Sequence, residues 1–304
     1  MFRRELRAVA QTRTVDVSVC ILTKNEELNL PKCIQSIATD ATQVVVIDDR
    51  SADQTREIAV GLGANVYEHE FADWASQRNW ALDNVPFLTE WVLFLDADEE
   101  MTPTAWSELR KLLASAGEEV DGVAVRMELI FLGKTLRKAY HHPSITRCVR
   151  RSRVRWIGDG AREYALVPGK LLVLKSRLPH HDLRGLAYWL EKHIANSLRE
   201  AQSKATRNKN LSLETIPRSQ RIRLRLRLGL WEHLPASLTV PIYFVYRYVL
   251  CLGFLEGRAG FFLCFYHSCW YPVTIAALKR EKTYCRTAST RSPECDCAEI
   301  DIGH

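Results

Sequence analysis

Two pairs of aspartates stand directly after short apolar runs. Asp96 and Asp98 follow the run WVLFL, and Asp48 and Asp49 follow the run VVVI. While a strand lasts, its alternation would place Asp96 and Asp98 on one face. Carboxylates together with phosphate oxygens suit a hard divalent cation, Mg²⁺ or Mn²⁺, which holds a diphosphate and neutralises the charge on it as it leaves. Asp96 and Asp98 therefore predict a metal and diphosphate site, with a solvated acidic turn as the alternative.

The second pair suits a nucleoside. A carboxylate at Asp48 or Asp49 can accept hydrogen bonds from ribose hydroxyls or a base N–H, a task that needs a bare acceptor. Asp53 is explained at least as well as a helix N-cap or a first-turn charge. We therefore expect a nucleoside beside the first aspartate pair.

The elements that carry these residues follow from hydrophobic periodicity. Apolar runs alternate with amphipathic stretches from residue 15 to about 95, which is typical of strand–helix units around a largely parallel sheet. The pattern predicts strands at 15–22, 44–47, 64–67 and 91–95 and helices at 27–38, 53–62 and 73–82. Ligands of such open α/β sheets bind at the carboxyl ends of the strands. The polar stretches 23–27, 48–53 and 96–100 fall there.

Two other kinds of phosphate chemistry are disfavoured. Neither glycine-rich phosphate motif, GxGxxG or GxxxxGK followed by Ser or Thr, follows a predicted strand, so a metal is expected to hold the phosphates. The run LFLDAD also resembles the nucleophile motif of haloacid-dehalogenase-type phosphatases, which needs Thr or Val where Glu100 stands.

Charge and cysteine usage limit the partners. The formal net charge of the 304 residues is +6, and basic residues gather in 147–162 and 204–227. We expect an anionic partner, either a membrane surface or a pyrophosphate-bearing substrate, and no nucleic acid. The nine cysteines lack paired metal spacing and are expected to be reduced. Residues 1–14 contain no apolar run of signal-peptide length, which predicts a cytoplasmic location.

The segment 234–278 is dense in aromatic and aliphatic residues. Pro241, Arg247, Glu256 and Pro272 interrupt it, whereas a membrane span needs about 20 consecutive apolar residues. We predict two helices at a membrane interface, and a buried helical subdomain is the alternative. The basic strip RIRLRLRL at 221–228 would either face the membrane or be a solvated amphipathic element. The polar residues 283–304 are expected to be disordered.

Four N-terminal blocks carry a family resemblance. In order and spacing, SVCILTKNEE, VVVIDDRSADQT, ASQRNWAL and WVLFLDADEEMTP closely resemble glycosyltransferase family 2 on a GT-A fold. The later blocks GDGAREYALVPGKL, LPHHD, YWLEKHIANSLREAQ and GFLEGRAGFFLCFYHSCWY are similar to a bacterial branch that includes lipopolysaccharide core glucosyltransferases and exopolysaccharide enzymes. The resemblance implies an α/β catalytic domain at 15–182, with nucleotide-sugar binding in 15–100 and the acceptor side in 101–182. A membrane-associated helical region at 183–282 would follow.

The resemblance also implies residue roles. The nucleotide-sugar site would comprise Thr23, Asn25, Glu26, Asp49, Gln77, Arg78 and Asp96. Asp96 and Asp98 match the Asp-x-Asp pair that holds ribose and metal. One histidine of the pair His180–His181 would add a metal ligand, with His181 as the candidate.

An inverting transferase needs one base to deprotonate the acceptor hydroxyl. Glu163 stands where the bacterial branch has His-Glu, although Arg162 replaces the histidine, and Asp159 is the nearby competitor. Besides the metal, Arg78, Arg150 or Arg151 would stabilise the departing phosphates.

The expected activity is transfer of a hexose from a nucleotide-diphosphate sugar, with UDP-glucose favoured. The expected acceptor is a lipid-linked glycan or a lipopolysaccharide or exopolysaccharide precursor, met peripherally at the cytoplasmic face of the bacterial inner membrane. The alternatives are a polyprenyl-phosphate glycosyltransferase and a non-catalytic, membrane-bound nucleotide-sugar-binding protein.

Overall fold

The computed structural model describes residues 15–140, 144–158, 163–203 and 234–289. The strands within these ranges are β1 (Val17–Thr23), β2 (Gln43–Asp48), β3 (Asn65–Glu68), β4 (Trp91–Asp96), β5 (Val120–Phe131), β6 (Lys134–Leu136), β7 (Ile145–Arg150), β8 (Arg155–Gly158), β9 (Glu163–Leu166) and β10 (Lys170–His180). The α-helices are α1 (Leu30–Gln35), α2 (Thr55–Gly61), α3 (Trp74–Asn84), α4 (Pro103–Ala114), α5 (Gly185–Ser203), α6 (Ala236–Val245), α7 (Gly257–Phe265) and α8 (Tyr271–Ser289). The predicted α/β class is confirmed.

An eight-stranded sheet organises the molecule, in the order β10-β5-β7-β4-β1-β2-β3, with β6 added beside β5. Strands β1 to β4 pair in parallel, whereas β7 runs antiparallel to β4 and β5. The register places Thr23 opposite Asp48 and Leu22 opposite Asp96. The polar residues after β1, β2 and β4 therefore leave the sheet at one edge, its carboxyl edge.

The sheet is covered on both faces, which explains why its parallel strands read as continuous apolar runs. One face packs against Ile34 of α1 and Leu109 of α4. The other face packs against Ala81 of α3 and against Trp156 of the separate β8–β9 hairpin. Every residue of β1 is buried as a result.

The predicted strands agree with the structure to within two residues, but two predicted helices are shorter. Helix α1 begins at Leu30 and α2 at Thr55. The Asp53 carboxylate accepts from the Glu27 and Thr55 backbone N–H groups, at 3.1 Å each. Asp53 therefore joins the loop before α1 to the loop before α2. These hydrogen bonds keep the residues of the two loops out of the helices.

The C-terminal helical segment, residues 234–289, lies against the β5–β6 hairpin. Helix α6 continues through a π-helical turn at Tyr246–Leu250, and α7 and α8 are joined by another at Tyr266–Trp270. Leu263 of α7 packs with Phe131 and Leu136 in a small core of its own. The predicted C-terminal helical region is confirmed, and its place at a membrane interface stays a prediction.

Two buried charges fix this segment to residues 137–139, the loop after β6. The Glu256 carboxylate accepts from the backbone N–H groups of Arg137, Lys138 and Ala139 at 2.6, 2.9 and 2.7 Å. The Arg247 guanidinium donates to the Ala139 carbonyl. Arg247 and Glu256, two of the charges that interrupt the apolar sequence, therefore attach the segment to the rest of the protein.

The disorder expected from residue 283 is wrong for its first part, because α8 continues to Ser289. The stretch 279–289 contains Lys, Arg, Glu and Ala, which favour helix, and no Gly or Pro to end it. The expectations for 1–14, for the basic strip at 221–228 and for 290–304 lie outside the described residues.

One described run, Gly253–Glu281, is long and apolar enough to cross a membrane by length and composition. The core helix of a soluble protein passes the same test, and 28% of the most apolar stretch of this run is buried.

Candidate functional site

The loops after β1 and β2 are joined by side-chain hydrogen bonds. The buried Asp48 carboxylate accepts from the Thr23 hydroxyl at 2.9 Å and from the Ser51 N–H and hydroxyl at 2.8 and 2.6 Å. Asn25 has a φ of 52°, a left-handed backbone that Asn tolerates better than most residues. Its side-chain oxygen accepts from the Ala52 N–H at 2.8 Å. Thr23 and Asn25 thus shape the loop, and their contact with a nucleotide stays a prediction.

Asp49 lies at the surface of the same edge. Its Oδ1 accepts from the Phe71 N–H at 3.0 Å, and its Oδ2 lies 3.5 Å from the Lys24 ammonium. The Asp49 side chain is 16% exposed, in contrast to the fully buried Asp48. Of the two aspartates, Asp49 is therefore the one that can still accept from a ligand.

Gln77 holds a neighbouring histidine, His69, through two hydrogen bonds. Its Oε1 lies 2.6 Å from Nδ1 of His69, and its Nε2 donates to the His69 carbonyl at 3.1 Å. The His69 ring stacks on Trp80 with 4.3 Å between the centroids. Gln77 itself is buried, so it orients the loop after β3.

Glu26 belongs to a buried ion-pair group at the end of β10. Its Oε1 lies 2.9 Å from Nη1 of Arg184, and its Oε2 accepts from the Asn29 amide at 2.8 Å. Arg184 also pairs with Asp182 at 2.7 Å. Burial raises the pKa of Glu26 to about 7, although Arg184 opposes this.

A continuous network of carboxylates and guanidinium groups links Asp96 to the predicted base. The Asp96 carboxylate lies 2.6 Å from Nη2 of Arg147 and 3.3 Å from Nη2 of Arg78. Arg78 Nε donates to both oxygens of Glu163, at 3.0 and 2.8 Å. Arg147 also donates to Glu99. Asp96 and Glu163 therefore share one guanidinium group.

The carboxylates of this network differ in pKa, because three carboxylates share only two guanidinium groups. Burial alone would raise the pKa of Asp96, but Arg147 and Arg78 outweigh it and hold this pKa at about 2. Burial raises the pKa of Glu99 to about 7 despite Arg147. Near neutral pH, Asp96 is the fixed negative charge and Glu99 is the group that gains or loses a proton.

Asp98 faces a different set of partners. Its Oδ2 lies 3.2 Å from Nε2 of His180 and 3.4 Å from Nζ of Lys192. Burial would raise the pKa of Asp98, but these two groups hold it well below its usual range. Burial would lower the pKa of His180, and Asp98 instead raises it to about 9.

The histidine beside Asp98 is His180, one position before the predicted metal ligand His181. His181 was the candidate ligand, but the imidazole that contacts Asp98 belongs to His180, and His181 donates its backbone N–H to the Asp98 carbonyl at 2.8 Å. An isolated bridge pairs His180 with Glu99 where β10 passes the loop after β4. Neighbouring strand residues point to opposite faces, so one residue of register decides which histidine reaches the site.

Two of the arginines expected to stabilise the phosphates, Arg150 and Arg151, donate to backbone carbonyls away from the site. Arg150 donates to the Val120 carbonyl at 2.7 Å, and Arg151 donates to the Phe87 carbonyl at 2.9 Å. Arg150 pairs in register with Trp91, the first residue of β4. Both arginines therefore lie at the amino end of β4, away from Asp96. Asp159 and Arg162 lie outside the described residues.

Sequence reasoning missed three basic residues of the site. Arg147 sits in β7, and Arg184 and Lys192 lie just before and within α5. Arg147 is buried in a strand beside Cys148 and Val149, which is an unusual place for a charge and was the available signal. The partners of Arg184 and Lys192 lie far away in the sequence, so no local pattern identifies them.

The residues present fit a divalent-cation site in which the substrate completes the coordination of the metal. The described part of the chain holds no group of three or more potential His, Cys, Asp or Glu ligands. Asp98 and His180 nevertheless bring a carboxylate oxygen and an imidazole nitrogen within 3.2 Å of each other. Metals of this kind commonly take one or two protein ligands and complete their coordination with phosphates and water. Asp98 and His180 are therefore the pair that could hold such an ion, which would displace the His180 proton on binding.

Among proteins of known sequence, a TPR repeat-containing protein of Synechococcus elongatus is 37% identical over 98 residues, which cover 32% of this chain and 24% of that protein. An uncharacterised glycosyltransferase of Rickettsia typhi is 29% identical over 134 residues, which cover 44% of this chain and 45% of that protein. The chain thus spans less than half the length of these relatives.

Solved structures match this chain at low similarity. Residues 1–349 of S. aureus TarS superpose with a TM-score of 0.47 at 15% identity, covering 92% of both chains. Glucosyl-3-phosphoglycerate synthase from Mycobacterium tuberculosis, solved with Mn²⁺, uridine diphosphate and phosphoglyceric acid, gives a TM-score of 0.42 at 16% identity. That superposition covers 62% of this chain and 76% of the synthase chain.

The sequence match to a family is more extensive. The model of the family described as glycosyl transferase family 2 matches residues 18–169, which is half of the 304 residues. The match runs from β1 to the turn before β10 and includes Asp49, Asp96, Asp98 and Glu163. With its mainly parallel GT-A sheet and its acidic carboxyl edge, the chain belongs to glycosyltransferase family 2.

Proposed function

We propose that the protein is an inverting glycosyltransferase that moves a hexose from a nucleotide-diphosphate sugar to an acceptor hydroxyl, with UDP-glucose as the favoured donor. One observation carries the proposal. The carboxyl edge brings together a surface acceptor for a nucleoside, Asp49, a buried carboxylate beside an imidazole, Asp98, and a candidate base, Glu163, in the Asp96 network. These are the groups that donor binding and proton removal require.

Glu163 is the proposed base. The acceptor oxygen attacks the anomeric carbon from the side opposite the diphosphate. The bond from that carbon to the phosphate oxygen breaks, its electron pair stays on the phosphate, and the hydroxyl proton passes to Glu163. The two hydrogen bonds from Arg78 orient this carboxylate. Its side chain is 25% exposed, which leaves access for an acceptor.

Asp98 and His180 are the proposed holders of Mg²⁺ or Mn²⁺. A divalent cation bound there would neutralise negative charge on the donor diphosphate. Asp96 has a different proposed task, because Arg78 and Arg147 keep it ionised and fixed. A fixed, ionised carboxylate is a good acceptor for a ribose hydroxyl.

The proposed acceptor is a lipid-linked glycan or a lipopolysaccharide or exopolysaccharide precursor, met at the cytoplasmic face of the bacterial inner membrane. Apolar side chains support a membrane contact, because many of them are exposed on the C-terminal helical segment and such surfaces mark interaction sites. The exposed fraction of the residue is at least 38% for each of Leu238, Ile242, Val245, Val249, Leu250, Leu252, Phe254, Leu255, Phe261, Phe262 and Phe265.

Metal-dependent donor binding tests the donor site. Wild type is screened by thermal stabilisation against nucleotide sugars, with and without Mn²⁺, beside Asp98→Ala. The matched control is Asp16→Ala, because Asp16 is exposed just before β1 at the opposite edge. A donor should raise the melting temperature of wild type and of the control more with metal than without it, by mass action, and Asp98→Ala should lose the metal-dependent part. No metal-dependent stabilisation by any donor would contradict the proposal.

The product separates the remaining alternatives. A glycosidically extended glycan supports the proposed reaction, whereas a sugar on polyprenyl phosphate would identify the polyprenyl-phosphate transferase. Donor binding without any turnover, in the presence of both kinds of acceptor, would identify a nucleotide-sugar-binding protein instead.

A further inference from the structure

Most basic side chains at the carboxyl edge are already shared between carboxylates. Arg78 pairs with Asp96 and Glu163, Arg147 with Asp96 and Glu99, and Arg184 with Glu26 and Asp182. Their side chains are only 2, 5 and 8% exposed. A buried guanidinium group between two carboxylates is poorly placed to receive a further anion.

Lys192 differs from these arginines in exposure and in contact distances. Its side chain is 34% exposed, and its Nζ lies 3.4 Å from Asp98 and 3.9 Å from Asp182. A good ammonium–carboxylate hydrogen bond is shorter, about 2.7–2.9 Å, and an ammonium group has three N–H donors. Lys192 therefore keeps donor capacity directly beside the proposed metal carboxylate.

We propose that Lys192 binds the terminal phosphate of the donor diphosphate and stabilises the leaving group, an assignment that rests on the proposed transferase function. When the bond from the anomeric carbon to the phosphate oxygen breaks, the electron pair stays on the phosphate next to this ammonium group. Lys192 remains protonated, and the acceptor proton goes to Glu163. A fixed positive charge at the place where negative charge develops favours the transition state.

The charges around Lys192 agree with this role. Burial alone would lower the pKa of Lys192, but Asp98 raises it above its ordinary value, so the side chain stays charged at neutral pH. Both carboxylates near Lys192 have a closer partner, because Asp182 accepts from Arg184 at 2.7 Å and Asp98 lies 3.2 Å from Nε2 of His180. The Lys192 ammonium group is therefore available to an anionic ligand.

Lys192 also reaches the donor from an element outside the family match. It lies on α5, whereas the matched residues end at 169. Helix α5 is held by the C-terminal helical segment, because Trp189 packs on Tyr266 with 4.4 Å between ring centroids and Tyr271 donates to Glu200 at 3.2 Å. The donor site would thus be completed by a helix that the membrane-facing segment supports.

Diphosphate binding in the absence of metal tests the assignment. Binding of UDP, UMP and inorganic pyrophosphate is measured by calorimetry in EDTA for wild type, Lys192→Met and Lys192→Arg. The matched control is Lys170→Met, because Lys170 is exposed at the opposite end of β10. We expect Lys192→Met to lose about tenfold or more in affinity for UDP and pyrophosphate, as for loss of a hydrogen bond to a charged group, with UMP affected less. Lys192→Arg should keep part of the affinity.

The outcomes separate this inference from the proposed function. Wild-type affinity for UDP and pyrophosphate in Lys192→Met would overturn the role of Lys192 while leaving the transferase intact. No binding of any nucleoside diphosphate to wild type, with or without Mn²⁺, would overturn the donor site itself. Equal losses for UMP and UDP would also overturn the inference, because they would indicate a general structural effect.

Discussion

Asp96 and Asp98 are one residue apart, yet their carboxylates face different partners. Asp96 contacts Arg78 and Arg147, and Asp98 contacts His180 and Lys192. Alternation would have placed both on one face of a strand, but β4 ends at Asp96 and the chain turns before Asp98. The turn therefore lets two neighbouring aspartates serve different tasks, one fixed as an acceptor and one placed beside an imidazole.

Glu99 makes the stability of the protein depend on pH. Its pKa is raised in the fold from 4.5 to about 7 by burial, so the folded state binds its proton more tightly than the unfolded state does. The stabilising contribution is present below about pH 4.5 and is lost as the pH rises through 7. Relative to Glu99→Gln, wild type should lose unfolding free energy between pH 4.5 and 7, by an amount on the order of 1–3 kcal/mol.

Urea unfolding of both proteins at several pH values measures this difference. The two proteins are compared by how their unfolding free energies change with pH. Their values at a single pH also differ because the substitution alters the hydrogen bonds that Glu99 accepts from the Arg147 guanidinium and the Asp96 backbone N–H. Parallel pH profiles for the two proteins would contradict a raised pKa at Glu99.

Among the elements, the C-terminal helical segment contacts the loop after β6, residues 137–139, chiefly through one carboxylate. Glu256 accepts three backbone N–H groups there. Glu256→Ala would leave these donors without their partner, and an unsatisfied buried donor costs about 1–3 kcal/mol. We expect a clear drop in melting temperature and faster proteolysis near residues 137–140.

Arg258→Ala is the matched control for Glu256→Ala, because Arg258 is a charged residue of the same segment with an exposed side chain. Its unfolding free energy should stay within about 0.5 kcal/mol of wild type. Equal stability and equal protease resistance in all three proteins would show that Glu256 does not fix the segment.

The elements also show what local sequence could predict. Strands β1, β2 and β4 were predictable because both faces of each are buried, which leaves uninterrupted apolar runs. The ion-pair network was not, because Arg78 is 85 residues from Glu163 and Arg147 is 51 residues from Asp96. The family resemblance named Asp98 and Glu163 as site residues, which stays a prediction, and it named His181 where the imidazole beside Asp98 is that of His180. The choice between the two histidines depends on the register of β10 beside the loop after β4.

At the scale of the whole molecule, the acidic edge and the exposed apolar side chains belong to different parts of the chain that α5 connects. Trp189 of α5 packs on Tyr266 of the C-terminal segment, and Lys192 of α5 reaches Asp98. The proposal of a lipid-linked acceptor requires this edge to lie near a membrane, and α5 joins the edge to the exposed apolar side chains.

Liposome co-sedimentation tests the proposed membrane contact. Leu250 and Phe262 are 70 and 51% exposed, and Asp at both positions should reduce binding to anionic vesicles at least severalfold, because a charge opposes burial among acyl chains. Leu88→Asp is the matched control, since Leu88 is 72% exposed but lies before β4 on the catalytic domain. Equal binding by the double variant and the control would contradict a membrane contact through the C-terminal segment.

The most direct test of the central claim is the rate of sugar transfer in Glu163→Gln, with the anomeric configuration of the wild-type product determined by NMR. The account predicts an inverted product from wild type and a rate lower by about 10² to 10⁴ in Glu163→Gln, as for loss of a general base, with donor affinity unchanged. Wild-type turnover in Glu163→Gln, or a product that retains the donor configuration, would contradict it.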